Sequence, residues 1–175
     1  MHLLAIDPGV RFCGWCSVEF NLVSSVFSSL ASWGTLEAVD GEMPFRLKEF
    51  LEKRIDCLKI LAYEKSFPPR LAAVYGRNWD ATAEVRGVIL SFARPPIKLM
   101  GLTARQVRAI LKVGNPPRIA AVGKNQVRGM GADLRVRKAV SVFTGIPEER
   151  FVDCHQVDAV ALAFVAFSRM GVEWR

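Results

Sequence analysis

The sequence has no apolar run long enough to cross a bilayer. Its longest, Ala159 to Phe167, falls far short of the ~18 to 20 residues that a spanning helix needs. The amino terminus also lacks the build of a secretory leader, because Met1-His2-Leu3-Leu4-Ala5-Ile6 has no basic start and meets an acid at Asp7. The expectation is a soluble cytoplasmic protein with no membrane partner, in the host cytoplasm if the source is viral. Cysteine is scarce and badly spaced for chelation: only Cys13 and Cys16 lie close together, and Cys57 and Cys154 have no partner at ligand spacing. In a strand, positions 13 and 16 point to opposite sides, so reduced structural thiols are expected rather than a metal or redox pair. Internal repeats, low-complexity tracts and long linkers are missing too. The 175 residues therefore read as one domain, 1–175, able to bury a core without a disulfide or structural metal.

Acids are outnumbered, with 17 Asp and Glu against 24 Lys and Arg and a net charge of +7. Such an excess attracts phosphate backbones. A basic amphipathic helix that would favour a membrane surface is not apparent.

What is present is an alternation of strand and helix signals. Leu3 to Ile6 is a continuous apolar run ended by Asp7-Pro8-Gly9, which predicts a buried strand delivering a carboxylate to its end. Phe12 to Phe20 and about Leu30 to Leu36 complete a three-stranded antiparallel meander. Leu47, Phe50, Leu51, Ile55 and Leu58 recur with helical spacing after Pro44. Leu58 to Tyr63 is again strand-like and again ends in an acid, Glu64. Ala81, Val85, Val88, Ile89 and Phe92 mark a helix face, with Asn78 or Asp80 as its cap, and Ile97 to Met100 a short strand. Thr103-x-x-Gln106 has capping-box form, opening a helix expected to stop near Gly114-Asn115-Pro116-Pro117. A further helix, interrupted at Gly129 and Gly131, is expected from about Lys124 to Phe143. The last runs from near His155 to about Met170, with Val157, Val160, Ala161, Phe164 and Ser168 on a common stripe. His155 and Asp158 are neighbours on one face of its first turn. The fold class expected is α/β, a mixed five-stranded sheet with three antiparallel strands first and parallel strands after, flanked by helices.

Taken singly, an Asp before Pro-Gly more often makes a turn, a strand-end Glu is more often solvated, and a lone His more often caps a helix or fills a core. Together they gain weight. Asp158 lies inside an otherwise apolar run, where an unpaired carboxylate is costly to bury. Carboxylates gathered at strand ends repel one another unless protonated or joined by a cation, and hard oxygen ligands suit Mg²⁺ or Mn²⁺.

Leu4-Ala5-Ile6-Asp7-Pro8-Gly9 followed by Gly14, the stretch Ala62-Tyr63-Glu64-Lys65-Ser66-Phe67, and His155-x-x-Asp158-Ala159-x-Ala161-Leu162-Ala163 resemble motifs of the RuvC-type Holliday-junction resolvases, ribonuclease-H-like nucleases. Arg46-Leu47-Lys48, Arg86-Gly87-Val88, Ala104-Arg105-Gln106-Val107-Arg108 and Lys124-Asn125-Gln126-Val127 fall in the family's order, so the resemblance spans nearly the whole chain. It implies an endodeoxyribonuclease that resolves four-way junctions symmetrically in recombination, repair or phage DNA processing, leaving 5′-phosphates with no covalent intermediate. Asp7, Glu64 and Asp158 would bind two divalent ions, about 3.5 to 4 Å apart, one activating water and the other stabilising the leaving 3′ oxygen. His155 stands where the family usually has a fourth acid, and it is counted with the catalytic and metal-binding set. Whether this imidazole binds metal, holds the leaving group or assists proton transfer is left open. Asp153 is an alternative fourth acid, though it lies off the Asp158 face.

Phe67 matches an aromatic that in the family probes the unstacked junction centre; packing beneath the Pro68-Pro69 loop is its other reading. Arg105, Arg108, Lys112, Arg118, Lys124 and Arg128, with Arg70 and Arg77, are the expected contacts to the DNA backbone, against the commoner reading of a solvated basic face. Arg105 and Gln106 also have an alternative reading as residues that fix the fold. Symmetric cutting needs two sites, so a homodimer is expected, with the helix from about Asn78 to Phe92 as its interface. No nucleotide cofactor is expected, because actin-like ATPases, which open on a similar strand, need two domains. The closer rivals are a nuclease of this fold acting on RNA, flaps or transposon ends, and a non-catalytic protein that only grips junctions.

Overall fold

An apolar run that never alternates with polar residues belongs in a strand covered on both faces. Leu3 to Ile6 is such a run. In the computed structural model, which describes residues 2–20, 27–39, 41–65, 77–114 and 134–171, it forms the body of β1 (His2–Asp7), the middle strand of a five-stranded sheet. β2 (Phe12–Phe20) pairs antiparallel with β1, and β3 (Phe27–Glu37) antiparallel with β2. On the other side β4 (Leu58–Glu64) runs parallel to β1, and β5 (Lys98–Leu102) parallel to β4. The order is β3-β2-β1-β4-β5, the mixed sheet expected from the element order.

Because side chains alternate along a strand, the sheet has two distinct faces. Leu3, Ala5, Cys16, Val18, Ile60 and Ala62 lie in one apolar cluster; Leu4, Ile6, Cys13 and Leu61 lie in the other. Cys13 and Cys16 thus sit on opposite faces as unpaired thiols, as their spacing requires.

The second face is covered by α1 (Met43–Glu52) and α2 (Arg77–Ser91). α1 ends before Ile55 and Leu58: Ile55 lies in the turn and Leu58 opens β4, so helical spacing persists there beyond the helix itself. Asn78 and Asp80 lie inside α2 rather than capping it. The first face is covered by α3 (Ala104–Ile110), α4 (Leu134–Thr144) and α5 (Cys154–Arg169). Thr103 and Gln106 form both bonds of the expected capping box. α3 stops short of the prolines, because Lys112 takes a left-handed conformation (φ 55°) and Val113 N–H turns back to the Arg108 carbonyl. The region 115–133, which holds Pro116, Pro117, Gly129 and Gly131, lies outside the described residues, as does 66–76.

α5 carries more than an amphipathic stripe. It is buried on all sides from Gln156 to Ala163, with Phe164 partly covered and Ser168 exposed, because the sheet lies beneath it while α3 and α4 pack against it. Four alanines in this helix let it lie close to β1 and β2. No helix among the described residues is long and apolar enough to cross a membrane.

Candidate active site

The alternation that sorts the core also selects what stands at the carboxyl edge of the sheet. Continuing Leu3, Ala5 along β1 reaches Asp7, and continuing Ile60, Ala62 along β4 reaches Glu64, so both carboxylates share the α5 face. Ile6 pairs with Tyr63 in the parallel ladder, which sets Asp7 beside Glu64. Across the antiparallel ladder Asp7 faces Gly14, and Gly14 faces Thr35. Thr35, Gly14, Asp7 and Glu64 thus form one row across four strands.

The first turn of α5 sits on this row. Asp153 is the helix N-cap: one carboxylate oxygen accepts from Gln156 N–H (2.9 Å) and the other from the Thr35 hydroxyl (2.6 Å). Gln156 Oε1 in turn accepts from Val152 N–H at 3.0 Å. Asp153 is therefore spent on holding the helix end. Gly14 lets the helix approach, since a Cβ there would lie 2.0 Å from the His155 carbonyl oxygen. Lowered onto β2 in this way, His155 meets Asp7, its Nδ1 lying 2.9 Å from Asp7 Oδ2. Phe12, two residues before Gly14 on the same strand, stacks on the imidazole at 5.8 Å between centroids and 25° between planes.

Asp7 and Asp158 are buried, at 9% and 1% exposure, in a core otherwise nearly free of charge. The charges feel one another. Burial first, then the Asp7 carboxylate in hydrogen-bonding contact with it, pushes Glu64 up to about 7, while the nearby Arg86 guanidinium pulls it down. The hydrogen bond to Asp7 raises His155 above its ordinary value against the opposing effect of burial. Cys154, at the start of α5, is raised by burial and then by Asp158, Asp153 and Asp7, which marks these acids as its neighbours. Arg86 of α2 is itself lowered by burial and held up by Glu64, Tyr63 and Asp7, so it stands by the acids as their counter-charge.

The four expected residues are accordingly brought to one region: Asp7, Glu64 and His155 in direct succession, and Asp158 one turn further along α5. Among the described residues no three His, Cys, Asp or Glu side chains are drawn close enough to enclose a metal ion. In kind, however, the donors suit a hard divalent cation: two carboxylates in contact on adjacent strands and an imidazole bonded to one of them. Of the basic candidates, Arg105 and Lys112 are exposed. Arg108 is not a surface residue: it is 9% exposed and its guanidinium donates to the Gly114 carbonyl at 3.4 Å, so it helps close the end of α3. Arg77 opens α2, while Phe67, Arg70, Arg118, Lys124 and Arg128 fall outside the described residues.

Sequence reasoning did not assign Phe12 or Arg86 to the site. Arg86 had a signal, a cation on a helix whose adjacent positions Val85 and Ile89 face the core. Phe12 had only its two-residue offset from Gly14.

No family model and no curated protein sequence matches the chain. Solved structures do. RuvC of Thermus thermophilus superposes with a TM-score of 0.63 over 99% of both chains at 20% identity. The chain has the ribonuclease-H-like fold of RuvC. T. thermophilus RuvC in complex with a Holliday-junction substrate matches at the same TM-score and 19% identity over 99% of both chains. The fowlpox virus resolvase bound to Holliday-junction DNA matches at 0.57 and 10% identity, over 97% of this chain and 99% of that one. A RuvC-like sheet order places the carboxyl ends of β1 and β4 side by side, and there the row of acids stands.

Proposed function

We propose that the protein is a metal-dependent endonuclease that resolves four-way DNA junctions. The observation that carries this reading is the meeting of Asp7, Glu64 and the first turn of α5 at the carboxyl edge of a RuvC-like sheet. Asp7, Glu64 and Asp158, with His155, would hold Mg²⁺, for which Mn²⁺ is expected to substitute, in two positions. Bound there, such ions lower the pKa of water and stabilise the charge on a leaving oxygen. The chain's own part is to hold the donors in place. β1 and β4 fix two carboxylates in register, the Asp153 cap fixes the helix that carries the other two groups, and Arg86 offsets their summed charge.

Exposed Arg105 and Lys112, the net charge of +7, and the basic residues outside the described segments supply sequence-independent contacts to the phosphate backbone. Symmetric cutting calls for two copies of the site, so the active species is a homodimer, with α2 as the candidate interface.

The test offers labelled four-way junctions, flaps, duplex and RNA–DNA hybrid to the protein with Mg²⁺, Mn²⁺ or EDTA. Junctions should be cut in symmetric pairs with either metal and not in EDTA. Asp7→Asn and Asp158→Asn should bind the junction and fail to cut it. Undiminished cleavage by either variant refutes the site, and preference for the hybrid over the junction refutes the substrate.

A further inference from the structure

We propose that Phe12 is a positioning residue for His155, its ring holding the imidazole in the orientation that keeps Nδ1 on Asp7 and leaves Nε2 for the metal ion or the substrate. The inference rests on the nuclease reading for its substrate, and on geometry for everything else.

Three contacts fix the His155 side chain. Its backbone lies against Gly14, where no Cβ intervenes. Its Nδ1 meets Asp7 Oδ2 at 2.9 Å, and its ring face is stacked by Phe12. A hydrogen bond at one nitrogen does not stop a ring from swinging about that contact; a stacked neighbour does. With Nδ1 engaged, Nε2 is the nitrogen left for chemistry, and it makes no hydrogen bond among the described residues. The imidazole keeps 28% of its side-chain surface exposed, so the ring is held without being sealed off.

Phe12 is well placed to hold the ring and poorly placed to be core. It belongs to neither apolar cluster and is 36% exposed. Its backbone is nevertheless firmly set. It pairs with Glu37 of β3, the flanking residues are joined by Ala38 N–H donating to the Arg11 carbonyl at 3.0 Å, and the Pro8-Gly9 turn packs so tightly that a Cβ on Gly9 would lie 2.0 Å from the Phe12 carbonyl oxygen. The turn that follows Asp7 thereby returns an aromatic ring to the imidazole that Asp7 binds.

The experiment compares Phe12→Leu, which removes the ring and keeps apolar bulk, with Phe12→Tyr, which keeps the ring. In metal-free protein, nitrogen-correlated NMR of the imidazoles reports tautomer and ring order; His2 is the sole other histidine, so assignment is direct. Wild type and Phe12→Tyr should show one ordered His155 tautomer, and Phe12→Leu mixed or broadened signals. In single-turnover junction cleavage Phe12→Leu should lose about tenfold to a hundredfold in rate with unchanged junction affinity and melting temperature, and Phe12→Tyr should restore the rate. Unaltered His155 signals in Phe12→Leu overturn the proposal. So does a loss confined to junction affinity, which would make Phe12 a DNA contact instead. If the wild type cuts no junction, the nuclease reading fails while the NMR comparison still decides whether Phe12 positions the ring.

Discussion

A carboxyl that burial and a neighbouring acid hold near neutrality makes the folded chain a better proton binder than the unfolded one. Glu64, pushed up to about 7 from an ordinary 4.5, is such a group. Between these values the native state keeps a proton that the unfolded chain releases, so stability falls as pH rises through that window. His155, raised by Asp7, acts in the same sense: its stabilising contribution is present in acid and lost as pH climbs through its folded value. Metal-free protein should therefore melt at a lower temperature at about pH 8 than at about pH 5, and Glu64→Gln should flatten that slope. A wild-type melting temperature that rises over the same range contradicts this. The basic residues divide just as sharply. Arg105→Ala should weaken junction binding and lower the slope of log affinity against log salt by about 1, with little change in stability. Arg108→Ala should instead cost about 1 to 3 kcal/mol in denaturant unfolding, because the buried side chain's packing and its charged bond to the Gly114 carbonyl at the end of α3 are both lost.

The start of α5 is the element on which the site depends. Gly14→Ala sets a methyl group against the His155 carbonyl, a backbone atom that cannot swing aside, so it should cost about 1 to 3 kcal/mol and abolish the Asp7–His155 contact. Asp153→Ala removes the N-cap and its bond to Thr35, and should cost about 0.5 to 2 kcal/mol while leaving partial cleavage. Denaturant midpoints for stability and His155 NMR signals for the contact check both. Elements of this kind were legible in the sequence where a local pattern specifies them. Apolar stretches ending in acids marked β1 and β4, and Thr103-x-x-Gln106 marked the cap of α3. Asp153-x-x-Gln156 offers the same kind of signal for α5, which begins at Cys154, one residue before the start near His155 that the apolar stripe suggests. The stacking of Phe12, the closeness of Gly14 to His155 and the counter-charge of Arg86 had no local pattern to reveal them. Each is a contact between elements, settled by how α2 and α5 lie against the sheet. Ile55 and Leu58 show the converse, for periodicity continued across a break that the tertiary fold imposes.

Over the whole molecule, the excess of positive charge should make junction binding fall steeply with added salt, whereas the metal requirement should not shift with it. Titrations at several salt concentrations, with Ca²⁺ in place of Mg²⁺ to prevent cutting, measure this; a salt-independent affinity would remove backbone charge as its source. Sedimentation at micromolar concentration should find a dimer, and a monomer there would count against symmetric cutting by a preformed pair. Finally, the sheet's central strand comes from the opening of the chain, whereas the helix that meets it comes from the close, Asp7 and His155 being 148 positions apart. During translation the ribosome thus releases Asp7 and Glu64 long before His155 and Asp158 exist. A growing chain, or one cut short before α5, carries only half of the candidate site, so the proposed cleavage would arrive only with that helix.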